Sequence, residues 1–490
     1  MNRDERPQVG KLANWLMSWV QPNGAIHGFH NHSVWGSNPY RWADFTSGHS
    51  TWASPALPAL VLLLKERRND EWLRRLLQMI KFQTSSFQED GQYAHIGFQI
   101  GESVQFGLIH NAITNVSLGL TMQFGETFLP GESKDEIRLA MERSFEVMER
   151  IYPFDKAYSQ GRATGRAICN QEYARLWGKL LHLRAFGGNE SLRASLRKQL
   201  DTLNGRFLFS GLPDKECDAA YRYAADEAST EPAEYYGLMI GPLVLAYELF
   251  GEQRYLLHAG ALSRHVARSA WRDKAGYLRM HRVWYHSGSR WAKLDEPMLI
   301  AGMGFTLFAV EQYVRHVPDA ELGDYLIECD RTYAAYQNQR GYFASATGWN
   351  NEADVAPSTA WHSHDFLYLA ARYEADGQIW DELNDQAAGS QTSVLLGSTC
   401  IWMERGQHWS ITDYFGRDVY QLIGRKDENR FGREMGWVGG ERALPAHFAF
   451  GPKPAFMKTN DGTYLMQSQT EASELHLSNV ADVPYLGEWR

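Results

Sequence analysis

The stretch EYYGLMIGPLVLAYELFGE, residues 234–252, decides the fold. From Gly237 to Ala246 it carries no charged and no amide side chain. A helix on a protein surface shows one apolar stripe and one polar face, and this one is apolar nearly all round. It is also too short to cross a bilayer, which takes about 20 apolar residues. Such a helix needs protein on every side, so other elements must surround it.

The stretch has relatives along the chain. Apolar segments begin at Ser54 (SPALPALVLLLKER), His110 (HNAITNVSLGLTMQFGE), Asn170 (NQEYARLWGKLLHLRAFGG), Glu234, Glu296 (EPMLIAGMGFTLFAVEQYV) and Trp361 (WHSHDFLYLAARYEADG). The intervals are 56, 60, 64, 62 and 65 residues, the mark of a repeat architecture. Between them lie amphipathic segments at 11–20, 69–87, 132–152, 189–207, 252–271 and 319–339. Their charges fall on one face, so each covers a core while meeting water. Several begin with Asn, Asp or Glu after a Gly or Pro, a helix-start signal. Twelve helices alternating in this way close into a ring of six hairpins, with the apolar helices inside and the amphipathic ones outside. The segment at 234 is then an inner stave.

The connections are lopsided. Each inner helix runs into the next outer helix through a few residues. The return loops are long, at 21–53, 88–109, 153–169, 208–233, 272–295 and 340–360. All six therefore fall on one face, at the N-termini of the inner helices. Long loops within a compact domain usually carry function, and helix N-termini bring backbone N–H groups and positive dipole ends to that face. Beyond residue 376 the pattern changes to strand-like runs at 392–403, 408–415, 418–426, 454–459, 463–468 and 474–480, with an Asp-Gly hairpin signal in TNDGTY. The expected organisation is mainly α, with a helical ring over 1–385 and a small antiparallel β module over 390–490.

The totals narrow the function. The 490 residues are 44% hydrophobic and 22% charged, an ordinary globular composition. The net charge of −9 and the lack of any basic stripe argue against a nucleic-acid partner, and no segment reads as a membrane span. Cys169, Cys217, Cys329 and Cys400 are scattered, which suggests reduced thiols. No secretory h-region precedes residue 20, so a cytoplasmic location is expected. The oligomeric state, a homo-oligomer included, is open. Tryptophan (17) and tyrosine (24) are plentiful, and these side chains often line sites where flat ligands such as sugars stack.

This organisation resembles the six-hairpin, (α/α)6-toroid carbohydrate-active enzymes: glycoside hydrolases, unsaturated-glucuronyl hydrolases and toroid polysaccharide lyases. The resemblance covers residues 1–375 as architecture. A following β module is familiar among the lyases. Terpene cyclases and lanthionine cyclases share the ring, but the chain has no DxDD, no DDxxD and no Cys-Cys-His zinc set.

The loop face supplies candidate groups. Asp44 lies in RWADFTSGHSTW with Trp52. The inner helices open on His110 and Asn111; on Asn170, Gln171 and Glu172; on Glu234, Tyr235 and Tyr236; on Asp295 and Glu296; and on Trp361, His362, His364 and Asp365. Glycoside hydrolysis needs two carboxyl groups flanking the scissile bond. Glu234 with Asp295 or Glu296, from adjacent staves, are the acid/base candidates, and Asp44 or Asp365 could face them. Carboxylates at helix N-termini also serve as caps and dipole partners. A lyase would instead neutralise a uronate and abstract its C5 proton, for which His110, Tyr236, Asn111, Asn170, Gln171, Tyr235, His362 and Arg282 form an inventory, with Arg290 as a second guanidinium. So many carboxylates on one face would repel a polyanion, which favours hydrolysis. Trp35, Trp42, Trp52, Trp284, Trp291, Trp349 and Trp361 sit in or beside the long loops as candidate sugar platforms. His27, His30 and His32 match no standard zinc spacing, and 348–357 is a weak calcium candidate, so no metal or other cofactor is expected. The expected partner is an oligosaccharide or polysaccharide, in some cases uronate-containing. The expected enzyme is a glycoside hydrolase; the alternatives are a uronate lyase and a non-catalytic carbohydrate-binding protein.

Overall fold

The computed structural model of the chain describes residues 6–17, 20, 23–26, 51–93, 107–154, 158–159, 162–163, 167–208, 220–273, 276–287, 290–293, 297–299, 302–337, 341, 343, 359–374, 379–380, 382–383 and, as backbone, six short strands between 392 and 477. The described α-helices are α1 (Val9–Met17), α2 (Ala56–Glu66), α3 (Asp70–Ser85), α4 (Leu108–Gly125), α5 (Gly131–Ile151), α6 (Cys169–Phe186), α7 (Glu190–Phe207), α8 (Gly237–Phe250), α9 (Gln253–Arg268), α10 (Gly304–His316), α11 (Ala320–Tyr336) and α12 (Thr359–Arg372). No helix among the described residues is long and apolar enough to cross a membrane.

The apolar helices pack in an unbroken circle, α2 on α4, α4 on α6, α6 on α8, α8 on α10, α10 on α12, and α12 back on α2. Each also packs on the amphipathic helix of its own hairpin: α3, α5, α7, α9 and α11 follow their inner partners in sequence, and α1 covers α12. The chain thus forms a closed ring of six hairpins, and the last hairpin joins its two most distant helices. In α8 every residue from Gly237 to Ala246 is buried, as its composition requires. Outer helices start where their capping residues dictate: Asn69, Asn189 and Asp319 accept from the backbone N–H of Trp72, Leu192 and Leu322 at 3.0, 2.9 and 3.2 Å.

A smaller repeat lies at the ends of the outer helices. The segments NGAI (23–26), DGQY (90–93), AGYL (275–278) and RGYF (340–343) each return the chain in an antiparallel turn, pairing Val20 with Ile26, Phe87 with Tyr93, Arg272 with Leu278 and Gln337 with Phe343. Gly24, Gly91, Gly276 and Gly341 hold φ of 90, 91, 86 and 98°, the left-handed region open to glycine. The residue two positions later plugs the core: Ile26, Tyr93, Leu278 and Phe343 are all buried. Gly24 abuts α3 at Gln78, Gly91 abuts α5 at Val147 and Gly341 abuts α1 at Lys11, so three of these turns brace the next outer helix around the ring. Near the closure, Glu382 accepts from Arg6 and from the backbone of Gly10 at 2.7 and 2.8 Å.

Two expectations change. The fifth inner helix does not open at Glu296: residues Pro297–Leu299 form a strand paired with Leu278–His281, and α10 begins only at Gly304. Pairing with Leu278–His281 holds that segment extended, and at the start of α10 the backbone of Gly304 lies against that of His364 and Asp365, where a Cβ would overlap it. The fourth stave opens with a 3-10 turn, Ala233–Tyr235, before α8 proper. In the C-terminal region, strands Thr392–Leu396, Thr399–Glu404 and His408–Ser410 form one three-stranded antiparallel sheet, and Ala455–Lys458, Tyr464–Gln467 and Glu474–Leu477 form another. The expected strand at 418–426 lies outside the described residues.

Candidate active site

At the N-terminal ends of the inner helices three aromatic rings meet. Trp52 comes from a 3-10 turn (Thr51–Ala53), Tyr235 from the turn before α8, and Trp361 from the first turn of α12. Their centroids are 6.1 Å (Trp52–Tyr235), 6.2 Å (Tyr235–Trp361) and 6.1 Å (Trp52–Trp361) apart. Two imidazoles border them. His364 lies 5.7 Å from Trp52 and 5.4 Å from Trp361, and His110 lies 6.2 Å from Trp52 with Nδ1 3.4 Å from the Thr51 hydroxyl. Nε2 of His364 is 3.1 Å from the Trp52 carbonyl. A carbonyl only accepts, so Nε2 carries the proton and Nδ1 presents a lone pair; Nδ1 has no partner among the described residues. Burial lowers the His364 pKa to about 3, which keeps the ring neutral.

Two glutamates adjoin Tyr235. The segment that carries them is held on residues 282–284 by backbone bonds, Thr230 N–H to Trp284 O and Ala233 N–H to Arg282 O, both 2.8 Å. Glu231 is fully buried, and its Oε1 accepts from Asn170 Nδ2 at 2.6 Å. Glu234, 1% exposed, takes Nε of Arg282 at 2.7 Å and a second guanidinium nitrogen at 2.6 Å, both on Oε1. The Oε2 atoms of both carboxyl groups have no partner among the described residues. Burial pushes the Glu231 pKa well above the carboxylate range, and the Glu234 charge adds to the rise. Burial and the same Glu234 charge also raise the Tyr235 phenol.

Helical phase sorts the sequence candidates. In α12, Trp361 and His364 share one face (i, i+3), whereas His362 and Asp365 share another. His362 stacks on Phe343 and meets Trp15 at a tilt, with Nε2 2.8 Å from the Phe343 nitrogen, and Asp365 accepts from Gly302 N–H at 2.9 Å and Tyr333 OH at 2.6 Å. Asn111 is spent on the turn at 90–93, donating to Gln92 at 2.8 Å and accepting from Tyr93 N–H at 3.1 Å. Glu172 pairs with Arg175, itself bonded to the Tyr152 carbonyl. The Tyr236 hydroxyl accepts from Tyr221 N–H at 3.4 Å and its ring packs on His265. These five side chains therefore secure loops and outer helices. Trp291 sits on a hairpin with the buried Trp284, 6.4 Å between centroids. Gln171 is buried with Oε1 lacking a partner among the described residues. Asp44, Asp295, Glu296, Trp35, Trp42, Trp349, the histidines at 27, 30 and 32 and the loop 348–357 lie outside the described residues, as do the side chain of Arg290 and the thiols of Cys217 and Cys400. Cys169 and Cys329 are free and buried. Among the described residues no three His, Cys, Asp or Glu side chains gather as a metal site would need.

Glu231 is the group that sequence reasoning passes over. It stands in the acidic loop AADEASTEP beside Asp226 and Glu227, three residues before Glu234. Nothing in its spacing separates it from them; the intervening Pro232 is the one local hint that the two glutamates are fixed relative to each other.

No protein-family model matches the chain, and no curated protein does. Among solved structures it is similar to a sugar epimerase from a ruminal bacterium, at 11% identity and TM-score 0.51 over 74% of this chain and 98% of that one. It is also similar to an α-mannanase of glycoside hydrolase family 76 from Bacteroides thetaiotaomicron, at 11% identity and TM-score 0.51 over 76% and 96%. A D-mannose isomerase aligns at 12% identity and TM-score 0.50 over 74% and 96%. At these identities the likeness shows the fold, the (α/α)6 toroid.

Proposed function

We propose that the chain is a carbohydrate-active enzyme, a glycoside hydrolase that cleaves an oligosaccharide at the floor described above, with the ring over 1–385 as its catalytic unit and 390–490 as an accessory β module. The observation that carries the reading is the Glu231–Glu234 pair. Two buried carboxyl groups share one site, each with an oxygen that has no partner among the described residues, and their surroundings differ: burial raises Glu231 toward its acid form against the hydrogen bond that Asn170 donates to it, whereas Glu234 is paired with Arg282. Paired carboxyl groups in surroundings that differ in this way can divide into an acid and a base. Glu231 gives its proton to the glycosidic oxygen as the bond to the anomeric carbon breaks. Glu234 faces the developing positive charge and either attacks the anomeric carbon or takes a proton from the attacking water. Trp52, Tyr235 and Trp361 offer a surface for the apolar face of a sugar ring. The bonding of Arg282 to Glu234 supports hydrolysis over elimination, because it occupies the guanidinium that a uronate would need. The fold is shared with a family 76 mannanase, which agrees with this reading.

A second reading rests on His364. A neutral imidazole with a bare Nδ1 at an aromatic floor suits proton transfer at a carbon next to a sugar carbonyl, and the fold is shared with an epimerase and an isomerase.

One experiment separates the readings. The protein is incubated with neutral and uronate oligosaccharides while reducing ends, sugar composition and absorbance in the unsaturated-uronate band are followed. New reducing ends without absorbance mean hydrolysis, and Glu231→Gln should then slow the reaction by about two to four decades. Changed composition without new ends means isomerisation. New absorbance means elimination, which would overturn the carboxylate assignment.

A further inference from the structure

Asn170 and Glu231 are 61 positions apart and meet at the first turn of α6, with Asn170 Nδ2 2.6 Å from Oε1 of the glutamate. An amide nitrogen donates and does not accept, so Oε1 uses a lone pair on this bond. Burial favours the neutral carboxyl group, which carries a single proton on one of its two oxygens. With Oε1 engaged as the carbonyl acceptor, the hydroxyl is Oε2. The amide is 5% exposed and the carboxyl group fully buried, so water competes little for the bond. A hydrogen bond of this kind strengthens when its acceptor becomes charged. The side chain and the backbone N–H of Asn170 both favour the carboxylate, against burial.

We propose that Asn170 is the positioning residue of the acid: it places the Glu231 proton on Oε2 and holds the carboxylate that remains once the proton has been given away. The inference rests on the hydrolase reading above, in which Glu231 is neutral before the glycosidic bond breaks and charged after it. The proton passes from Oε2 to the glycosidic oxygen. The pair of the breaking C–O bond leaves with that oxygen, and Glu231 keeps the pair of its O–H bond. A contact that strengthens as this charge develops lowers the barrier without tightening the ground state. The other groups acting on or beside the carboxyl group are Glu234, Arg282, the Cys169 thiol and the Tyr235 phenol. All four are kept in an Asn170 variant, so a change in the behaviour of Glu231 reports on the amide.

Two readouts test it. In infrared difference spectra, the carbonyl stretch of the protonated Glu231 is the band that Glu231→Gln removes. Asn170→Ala should move this band to higher frequency, because Oε1 loses a donor, and should raise the pH at which it disappears by about one pH unit, because the charged form loses the stronger bond. A band unmoved in frequency overturns the placement of the proton. So does the lack of any such band wherever the protein is folded. In kinetics, the same variant should slow cleavage of neutral oligosaccharides at least about tenfold, and that of dinitrophenyl glycosides, whose leaving group needs no proton, by less than about threefold. The alkaline limb of kcat/KM should move upward with the band. Equal losses on both substrates with an unmoved limb mean that Asn170 only braces the loop, and overturn its part in proton donation. Should Asn170→Ala misfold, Asn170→Asp serves instead: an acceptor in place of the donor draws the proton onto Oε1 and should separate the two substrates further, and equal losses again overturn the proposal. If the unaltered protein cleaves neither substrate, the hydrolase reading fails and the role in donation with it, while the band still decides where the proton lies.

Discussion

His364 and Asp365 are consecutive residues of α12 buried on different faces of the helix, and burial suppresses the charge of both. His364 reaches the carbonyl of Trp52 at the ring floor, and Asp365 accepts from Gly302 N–H and Tyr333 OH toward the outer helices. The imidazole is lowered to about 3 and the carboxyl group raised to about 7. Near pH 5 both are neutral, and the two residues tilt stability in opposite senses on either side of that point.

For His364 the folded pKa is depressed below the ordinary 6.5. Its contribution is therefore present above pH 6.5 and lost as the pH falls toward 3. Replacing it by Gln, which can still donate to Trp52, should flatten the acid limb of a urea-midpoint profile. An unaltered acid limb would remove His364 from the account of acid sensitivity.

For Asp365 the folded pKa is raised above the ordinary 3.8. Stability from this group is full below pH 3.8 and is lost as the pH rises through about 7. Asp365→Asn should make the decline between those values shallower, as read by thermal midpoints across the range. A steeper decline would mean that the carboxylate is better solvated in the fold than its burial implies.

Glu234 and Arg282 form a buried ion pair. Removing one partner leaves an uncompensated buried charge and should cost about 3–5 kcal/mol, whereas replacing both by Met should cost less than either single change. A double-mutant cycle by chemical denaturation measures the coupling. Additive single effects would show that the two groups do not depend on each other.

The N-terminus of α10 tolerates no side chain atom at Gly304, since a Cβ would fall on the backbone of His364 and Asp365. Gly304→Ala should destabilise by more than about 3 kcal/mol, because backbone has to move. Gly131→Ala is the control: nothing lies within 4 Å of its Cβ, and the change should be neutral or slightly stabilising. Equal stability of the two variants would mean that α10 and α12 separate easily.

The ring was legible because burial writes a regular pattern: each stave is apolar on all sides and each cover is amphipathic, at near-constant spacing. The start of α10 was not, because EPMLIAGMGFTLF reads as one apolar run and its division into a strand and a helix depends on the pairing of Pro297–Leu299 with Leu278–His281. The site was legible as a face and less so residue by residue. Trp361 and His364, or His362 and Asp365, look alike as helix openers, and only the placement of the neighbouring helices says which pair reaches the floor. Glu231 was hidden for a related reason. Its importance comes from Asn170, 61 positions away, and from the backbone pairing to 282–284. The turns marked by Gly24, Gly91, Gly276 and Gly341 did leave a signature, a glycine two residues before a buried apolar side chain, but at four residues each they are easily lost among longer signals.

The contact of Trp52 with Trp361 and His364 has a consequence for how the protein is made. These residues are separated by 309 and 312 positions, and they meet only because α12 packs on α2. A nascent chain emerging from the ribosome can stack the hairpins one on another, yet it lacks a floor until the last inner helix has been synthesised and the arc has shut. Closing the ring and forming this aromatic contact thus become a single late event, and an incomplete arc would hold most of its helices without it.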